Sequence, residues 1–86
     1  MATAKEMSKM YQALSNERRI KIIRLLEKDT LTLTEIAKKL NYPLPRTSAY
    51  ASELENVGLV EKTRQDSNVF VKALVIINDK GEIKFK

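Results

Sequence analysis

Two prolines, Pro43 and Pro45 in the stretch "LNYPLPRT", separate two segments of helical period. Proline disfavours the helical region for the residue before it, so Tyr42 and Leu44 are predicted to be extended. Pro45 is itself suited to the first turn of a new helix, where its missing amide costs nothing. Asn41 tolerates the left-handed conformation in which helices commonly end. A chain that stops one helix and starts another within these few residues sends the second off at a steep angle. A helix offered to the major groove of DNA leaves its neighbour in this way.

The flanking segments support that geometry. In "AKEMSKMYQAL", Ala4, Met7, Tyr11 and Leu14, with Met10 and Ala13 alongside, form one apolar helical stripe. Ser15 or Asn16 is placed to cap a second helix, "RRIKIIRLLEK", whose Ile20, Ile22, Ile23, Leu25 and Leu26 face inward. On its other side Arg18, Lys21, Arg24 and Lys28 form a solvated basic edge. Leu31 to Leu33 alternates Thr and Leu as a brief strand, and Thr34 is predicted to cap helix three, with Ile36, Ala37 and Leu40 inward. Helix four is predicted from Pro45 to Val57 and ends at Gly58. Thr47, Ala51 and Leu54 lie on its inner side, and Arg46, Ser48, Ala49, Ser52 and Glu53 on its outer side. Tyr50 sits between, able to bury its ring and expose its hydroxyl. "LVEKTR" and "NVFVKALVIIN" read as a hairpin turning at "QDSN", and "EIKFK" as a third strand.

Composition narrows the function. The 86 residues, 43% apolar and 31% charged, read as a single domain over 1–86, mainly α within the α+β class. No apolar run is long enough to cross a bilayer, and "MATAKEMSKM" lacks the apolar core of a secretory signal, so a cytoplasmic location without membrane contact is expected. The chain contains neither Cys nor His. Thiolate nucleophiles, Ser-His-Asp triads and Cys/His zinc sites are therefore ruled out, and no enzyme, cofactor or metal is expected. A net charge of +5 favours a polyanionic partner.

The order helix, helix, short strand, helix, helix, hairpin is that of a winged helix-turn-helix, and here the sequence resembles the ArsR-like repressors. "ALSNERRIKIIRLL" resembles the family's opening, "TLTEIAKKLNYPLPRTSAYASELENVGLV" its helix-turn-helix core, and "EKTRQDSNVFV" its wing, together spanning residues 13 to about 71. The resemblance implies a sequence-specific regulator of transcription, a repressor, that binds double-stranded DNA as a homodimer. Three departures stand out. Helix three reads "TEIAKKL" in place of a Cys-rich metal-sensing segment, the long terminal helix that packs in family dimers is replaced by "DKGEIKFK", and Tyr50 and Ala51 stand where the family often has His and Leu.

The expected DNA-binding set is Thr34, Arg46, Thr47, Ser48, Ala49, Tyr50 and Ser52, with Lys62, Arg64, Gln65, Asn68 and Lys72 in the wing. Arg46 is the candidate base reader, because a guanidinium can pair with guanine O6 and N7. Thr34, Ser48 and Tyr50 offer hydroxyls to phosphate, and the wing cations meet phosphate or the minor groove. One cation and two acids, Glu53 and Glu55, make helix four itself only weakly basic. For the dimer, Met7, Met10, Tyr11 and Leu14 offer more apolar surface than one neighbouring helix would cover. The face Phe70, Lys72, Leu74, Ile76 or the edge from Glu82 to Lys86 could assist them. The competing reading is a winged helix that binds protein, which the fold alone does not separate from a DNA reader.

Overall fold

The computed structural model describes residues 3–86. It is a winged helix-turn-helix: α1 (Ala4–Ala13), α2 (Glu17–Leu26), β1 (Leu31–Thr32), α3 (Leu33–Leu40), α4 (Leu44–Asn56), β2 (Val60–Gln65), β3 (Asn68–Ala73), β4 (Val75–Ile77) and β5 (Ile83–Phe85). No helix is long and apolar enough to cross a membrane among the described residues.

Capping chemistry sets the helix starts. Thr3 caps α1 by accepting from the Glu6 amide, and Asn16, not Ser15, caps α2 by accepting from the Arg18 amide at 2.8 Å. Helix α3 begins earlier than predicted, because Thr32 and not Thr34 is its cap. The Glu35 amide donates to Thr32 Oγ1 at 3.1 Å and the Thr32 amide donates to Glu35 Oε1 at 2.9 Å, a reciprocal capping box. Two orphan amides are satisfied at once, whereas a cap at Thr34 would satisfy one at most. Thr34 is left as an exposed residue in the first turn.

Asn41 ends α3 in the left-handed region, φ 58° and ψ 47°, as expected. The restart differs by one residue: Pro43 occupies the cap position and Leu44, predicted to be extended, is the first helical residue. The first amides of a helix have no internal acceptor, so Pro45 fits the second helical position as well as the first. The Thr47 amide and hydroxyl both donate to the Pro43 carbonyl at 3.0 Å, tying the new helix to its entry. At the far end Gly58 adopts φ +81°, the left-handed conformation that glycine adopts without strain.

The strand after the wing tip is not continuous. β3 pairs antiparallel with β2, from Gln65↔Asn68 to Val60↔Ala73, and with β1 through Leu31↔Val71. The chain then bends at Leu74, and β4 leaves this sheet to pair with β5 through Val75↔Phe85 and Ile77↔Ile83. That terminal hairpin closes over the end of α2, where Lys86 Nζ donates to the Glu27 carbonyl at 3.0 Å and the Ile77 amide to Glu27 Oε1 at 3.0 Å. The core gathers Ile22, Ile23, Leu26, Ile36, Leu54, Leu59, Val71 and Val75, all essentially inaccessible.

Helix α1 presents less free surface than its stripe suggests. Met10, Ala13 and Leu14 are buried in this core and Met7 packs partly against it. Met10 and Leu14 are thus covered within the chain, and Tyr11, 47% exposed, is the large apolar side chain left outward.

The capping box makes a pH-dependent prediction. Bonds from the Thr32 amide and hydroxyl hold the Glu35 carboxyl below its ordinary value. The stability that this charge adds is complete above the unfolded-state value of about 4.5 and is lost as pH falls through the lower folded value. Thr32→Ala should cost about 1 kcal/mol near neutral pH in urea unfolding. The deficit of Glu35→Gln relative to the native chain should close on acidification.

Candidate nucleic-acid interface

Helix α4 is anchored by Thr47, Tyr50, Ala51 and Leu54, all buried, which leaves Leu44, Pro45, Arg46 and Ala49 exposed along its leading end. Beside that end lies a cleft of about 370 Å³, where the start of α3, the start of α4 and the wing tip meet. Thr34, Leu44, Ser48, Ser67 and Asn68 line it. Three of the predicted DNA-facing residues, Thr34, Ser48 and Asn68, therefore share one concavity although they come from three separate segments.

The acids of α4 do not oppose an anion as their sequence position suggested. Glu53 lies 3.1 Å from Arg19 Nε, a charge contact rather than an aligned hydrogen bond, since that Nε finds no hydrogen-bond partner among the described residues. Arg19 is positioned for it by donating to the Ala13 carbonyl at 3.0 Å and by lying 6.0 Å from the Tyr50 ring centroid. Glu55 accepts from the Lys62 backbone amide at 3.1 Å and pairs with its ammonium at 3.7 Å. Both carboxylates are thus matched by cations from neighbouring elements.

Several predicted residues are placed differently from the expectation. Thr47 is fully buried with its hydroxyl on the Pro43 carbonyl, so it has no surface to offer DNA. Lys62 and Ser52 bond one another, Nζ to Oγ at 2.8 Å, and this strap joins β2 to α4 in place of two free groups. Lys72 is opposite Glu61, while Lys62 is opposite Val71 and Arg64 opposite Val69. Because directly paired residues share a face, Lys72 lies on the other side of the wing from Lys62 and Arg64. Gln65 and Asn68 pair at the tip on the Lys72 face, and Arg64 is exposed beyond the strap.

Tyr50 is only 7% exposed, its ring being buried in the core. Burial works against ionising this phenol, yet the guanidiniums of Arg18 and Arg46 beside it prevail and hold it below its ordinary value. Arg18 itself lies over the Tyr42 ring, 5.3 Å from the centroid, and Tyr42 meets Tyr50 edge-on with centroids 6.3 Å apart. Sequence reasoning assigned Arg18 to a solvated edge and Leu44 to the turn. No local pattern pairs Arg18 with Tyr42, 24 positions on, but the exposure of Leu44, at 47%, follows from its being one turn from outward-facing Ser48.

A model of the bacterial regulatory proteins of the arsR family matches residues 16–62, which contain α2, α3, α4 and the start of the wing. The chain belongs to the ArsR family. An uncharacterized HTH-type transcriptional regulator of Methanocaldococcus jannaschii is 42% identical over 53 residues, 62% of this chain and 56% of the relative. Among solved structures, a homodimeric winged helix-turn-helix DNA-binding domain from Mycobacterium bovis, a possible ArsR-family regulator, superimposes with a TM-score of 0.77 at 28% identity. The alignment covers 80% of this chain and 64% of that one. HlyU of Vibrio cholerae shares the fold, with a TM-score of 0.77 at 24% identity over 81% of this chain and 76% of that one. The chain thus spans between about half and two thirds of the archaeal and mycobacterial relatives.

The strap gives this ArsR-family wing a definite expected behaviour. Lys62→Met keeps the stem packed but removes the bond to Ser52 and the ion pair to Glu55. Amide exchange in β2 and β3 should then accelerate by roughly threefold or more, given that a partly exposed pair of this kind contributes up to about 1 kcal/mol. Unchanged protection would show that the wing is held by its backbone ladder alone.

Proposed function

We propose that this chain is a sequence-specific duplex DNA-binding regulator of transcription, a repressor that acts as a homodimer. The observation that carries this reading is the exposed leading end of α4. It is flanked on one side by the Thr34, Ser48 and Asn68 cleft and on the other by arginines that carry no ion pair among the described residues, with its own acids neutralised. In this reading α4 enters the major groove, which is about 12 Å wide. Arg46, Ser48 and Ala49 meet base edges, and Leu44 suits the 5-methyl group of thymine. Thr34 and Asn68 with Gln65, Arg64 and Lys72 of the wing contact the backbone. Arg46, one helical turn from Tyr50, stands at the edge of this surface, where its long side chain reaches a base edge and the neighbouring backbone phosphate alike. Family membership and the homodimeric mycobacterial DNA-binding domain support the reading.

Fluorescence anisotropy on a panel of duplexes tests it. Binding should weaken steeply from low to moderate salt as counterions are released. Ser48→Ala and Asn68→Ala should weaken it further. No binding to any duplex at low salt contradicts the reading in favour of a protein-binding winged helix.

Dimerisation is expected through α1 and β5. Tyr11 and Phe85, 47% and 55% exposed, are apolar groups on those two elements, and a groove lined by Lys9, Met10 and Phe85 runs between them. A dimer would present two recognition helices to half-sites about 34 Å apart. Light scattering at tens of micromolar should give twice the chain mass. Tyr11→Lys should halve it without unfolding, whereas Met10→Lys should unfold the chain, since Met10 belongs to the core. A native monomer mass at that concentration excludes this assembly.

A further inference from the structure

We propose that Arg18, Arg46 and the Tyr50 hydroxyl form a built phosphate site, filled by a backbone phosphate of the duplex on the side of α4 away from the wing cleft. The proposal rests on the DNA-binding reading above and adds α2 to the elements that hold the duplex.

The first ground is charge. Arg18 lies over the ring of Tyr42, which meets Tyr50 edge-on, and Arg46 is one helical turn from Tyr50, so two guanidiniums from different helices flank this tyrosine pair, and neither has a carboxylate within ion-pair distance among the described residues. The neighbouring Arg19, by contrast, is matched with Glu53. Two cations flanking one tyrosine pair repel each other, and an anion placed between them relieves the repulsion. Guanidinium forks fit the oxygens of a phosphate, and a phenol can add a third donor.

The second ground is preorganisation. Tyr50 is packed by its ring, with Tyr42 against its edge and the Arg19 guanidinium nearby, so its hydroxyl has a defined position. Arg18 is steadied by the Tyr42 ring at 5.3 Å, and its amide is fixed on Asn16 Oδ1 at 2.8 Å in the first turn of ten-residue α2. A flexible surface arginine would have to be ordered on binding, but here part of that entropic cost is already met by folding.

The third ground is placement. Arg46 and Tyr50 are one helical turn apart and share a face of α4. Ser48, two positions from each, lies roughly 200° round the helix from either, toward the wing cleft. A helix seated in the major groove has the phosphates of both strands on its flanks. The cleft of Thr34, Ser48 and Asn68 faces one strand, and the arginine site faces the other.

The test uses the whole chain, Arg18→Ala, Arg18→Lys and Tyr50→Phe, each checked for its native thermal transition. If the native chain binds DNA, Arg18→Ala should weaken every duplex alike, roughly tenfold at moderate salt, and lower the salt slope by about one phosphate. Arg18→Lys should restore the slope but only part of the affinity. The Arg18→Ala, Tyr50→Phe double variant should lose less than the sum of the singles, because both serve one phosphate. DNA binding by Arg18→Ala with unchanged affinity and slope would overturn the site and leave the DNA reading standing. If no duplex binds, inorganic phosphate followed by NMR at the Tyr50 ring decides the remaining question. A saturable millimolar shift that raises the phenol's ionisation pH and disappears in Arg18→Ala would support a site for a free phosphate ligand. Absence of that shift overturns the site, and a shift that persists in Arg18→Ala, an adventitious ion only, overturns it equally.

Discussion

The carbonyl of Pro43 accepts both the amide and the hydroxyl of Thr47, and the geometry of the helix-turn-helix follows from that junction. Asn41 in the left-handed region turns the chain out of α3, and its successor Tyr42 returns an amide to the Ala37 carbonyl at 2.9 Å. The proline then removes one donor and supplies an acceptor used twice. Thr47 is thereby fixed in the core, and with it the rotation of α4 about its own axis. Leu44, Pro45, Arg46 and Ala49 are outward because Thr47, Tyr50, Ala51 and Leu54 are inward. A residue that never meets solvent thus determines which residues do.

Electrostatics then divides the basic residues by task. Arg19 and Lys62, both partly buried, are committed to Glu53 and Glu55 and join α2 and β2 to α4. Arg18, Arg46 and Arg64 carry no ion pair among the described residues and lie exposed around the same helix. A helix that reads as weakly basic by its own residues therefore sits in a more positive environment, because its acids are compensated from outside and further cations come from α2 and the wing. The net charge of +5 describes the whole chain, while the contacts describe which charges remain available.

Much of the fold was legible because it depends on local signals. The two prolines, Asn41, Gly58 and the period of each apolar stripe located four helices to within a residue or two. The cap of α3 is Thr32 rather than the expected Thr34 because "TLTLTE" offers three threonines, and only Thr32 is three residues before Glu35 and can complete a capping box. The bend at Leu74 was hidden since "NVFVKALVIIN" has uniform β character, and β4 is drawn away by pairing with β5 rather than by any breaker. At the interface, the outward position of Arg46 and Ala49 follows from helical period. The Lys62 to Ser52 strap and the Arg18 to Tyr42 stack join residues ten and 24 positions apart across different elements, and periodicity within one segment carries no information about such pairs. Burial of Met10 likewise depends on how α1 lies across the start of the loop at Gly58, whose added Cβ would meet Met10 Cε at 3.8 Å.

The central claim is that duplex DNA is held by the leading end of α4 and by groups on both its flanks. Amide and side-chain NMR shifts of the labelled chain, followed as duplex DNA is added, test this most directly. The account predicts the largest changes at Thr34, Leu44 to Ala49 and Ser67 to Asn68, with Arg18 and the Tyr50 ring moving in the same concentration range and the outer face of α1 moving little. Shifts confined to α1 and β5, with α4 unperturbed at saturation, would contradict it.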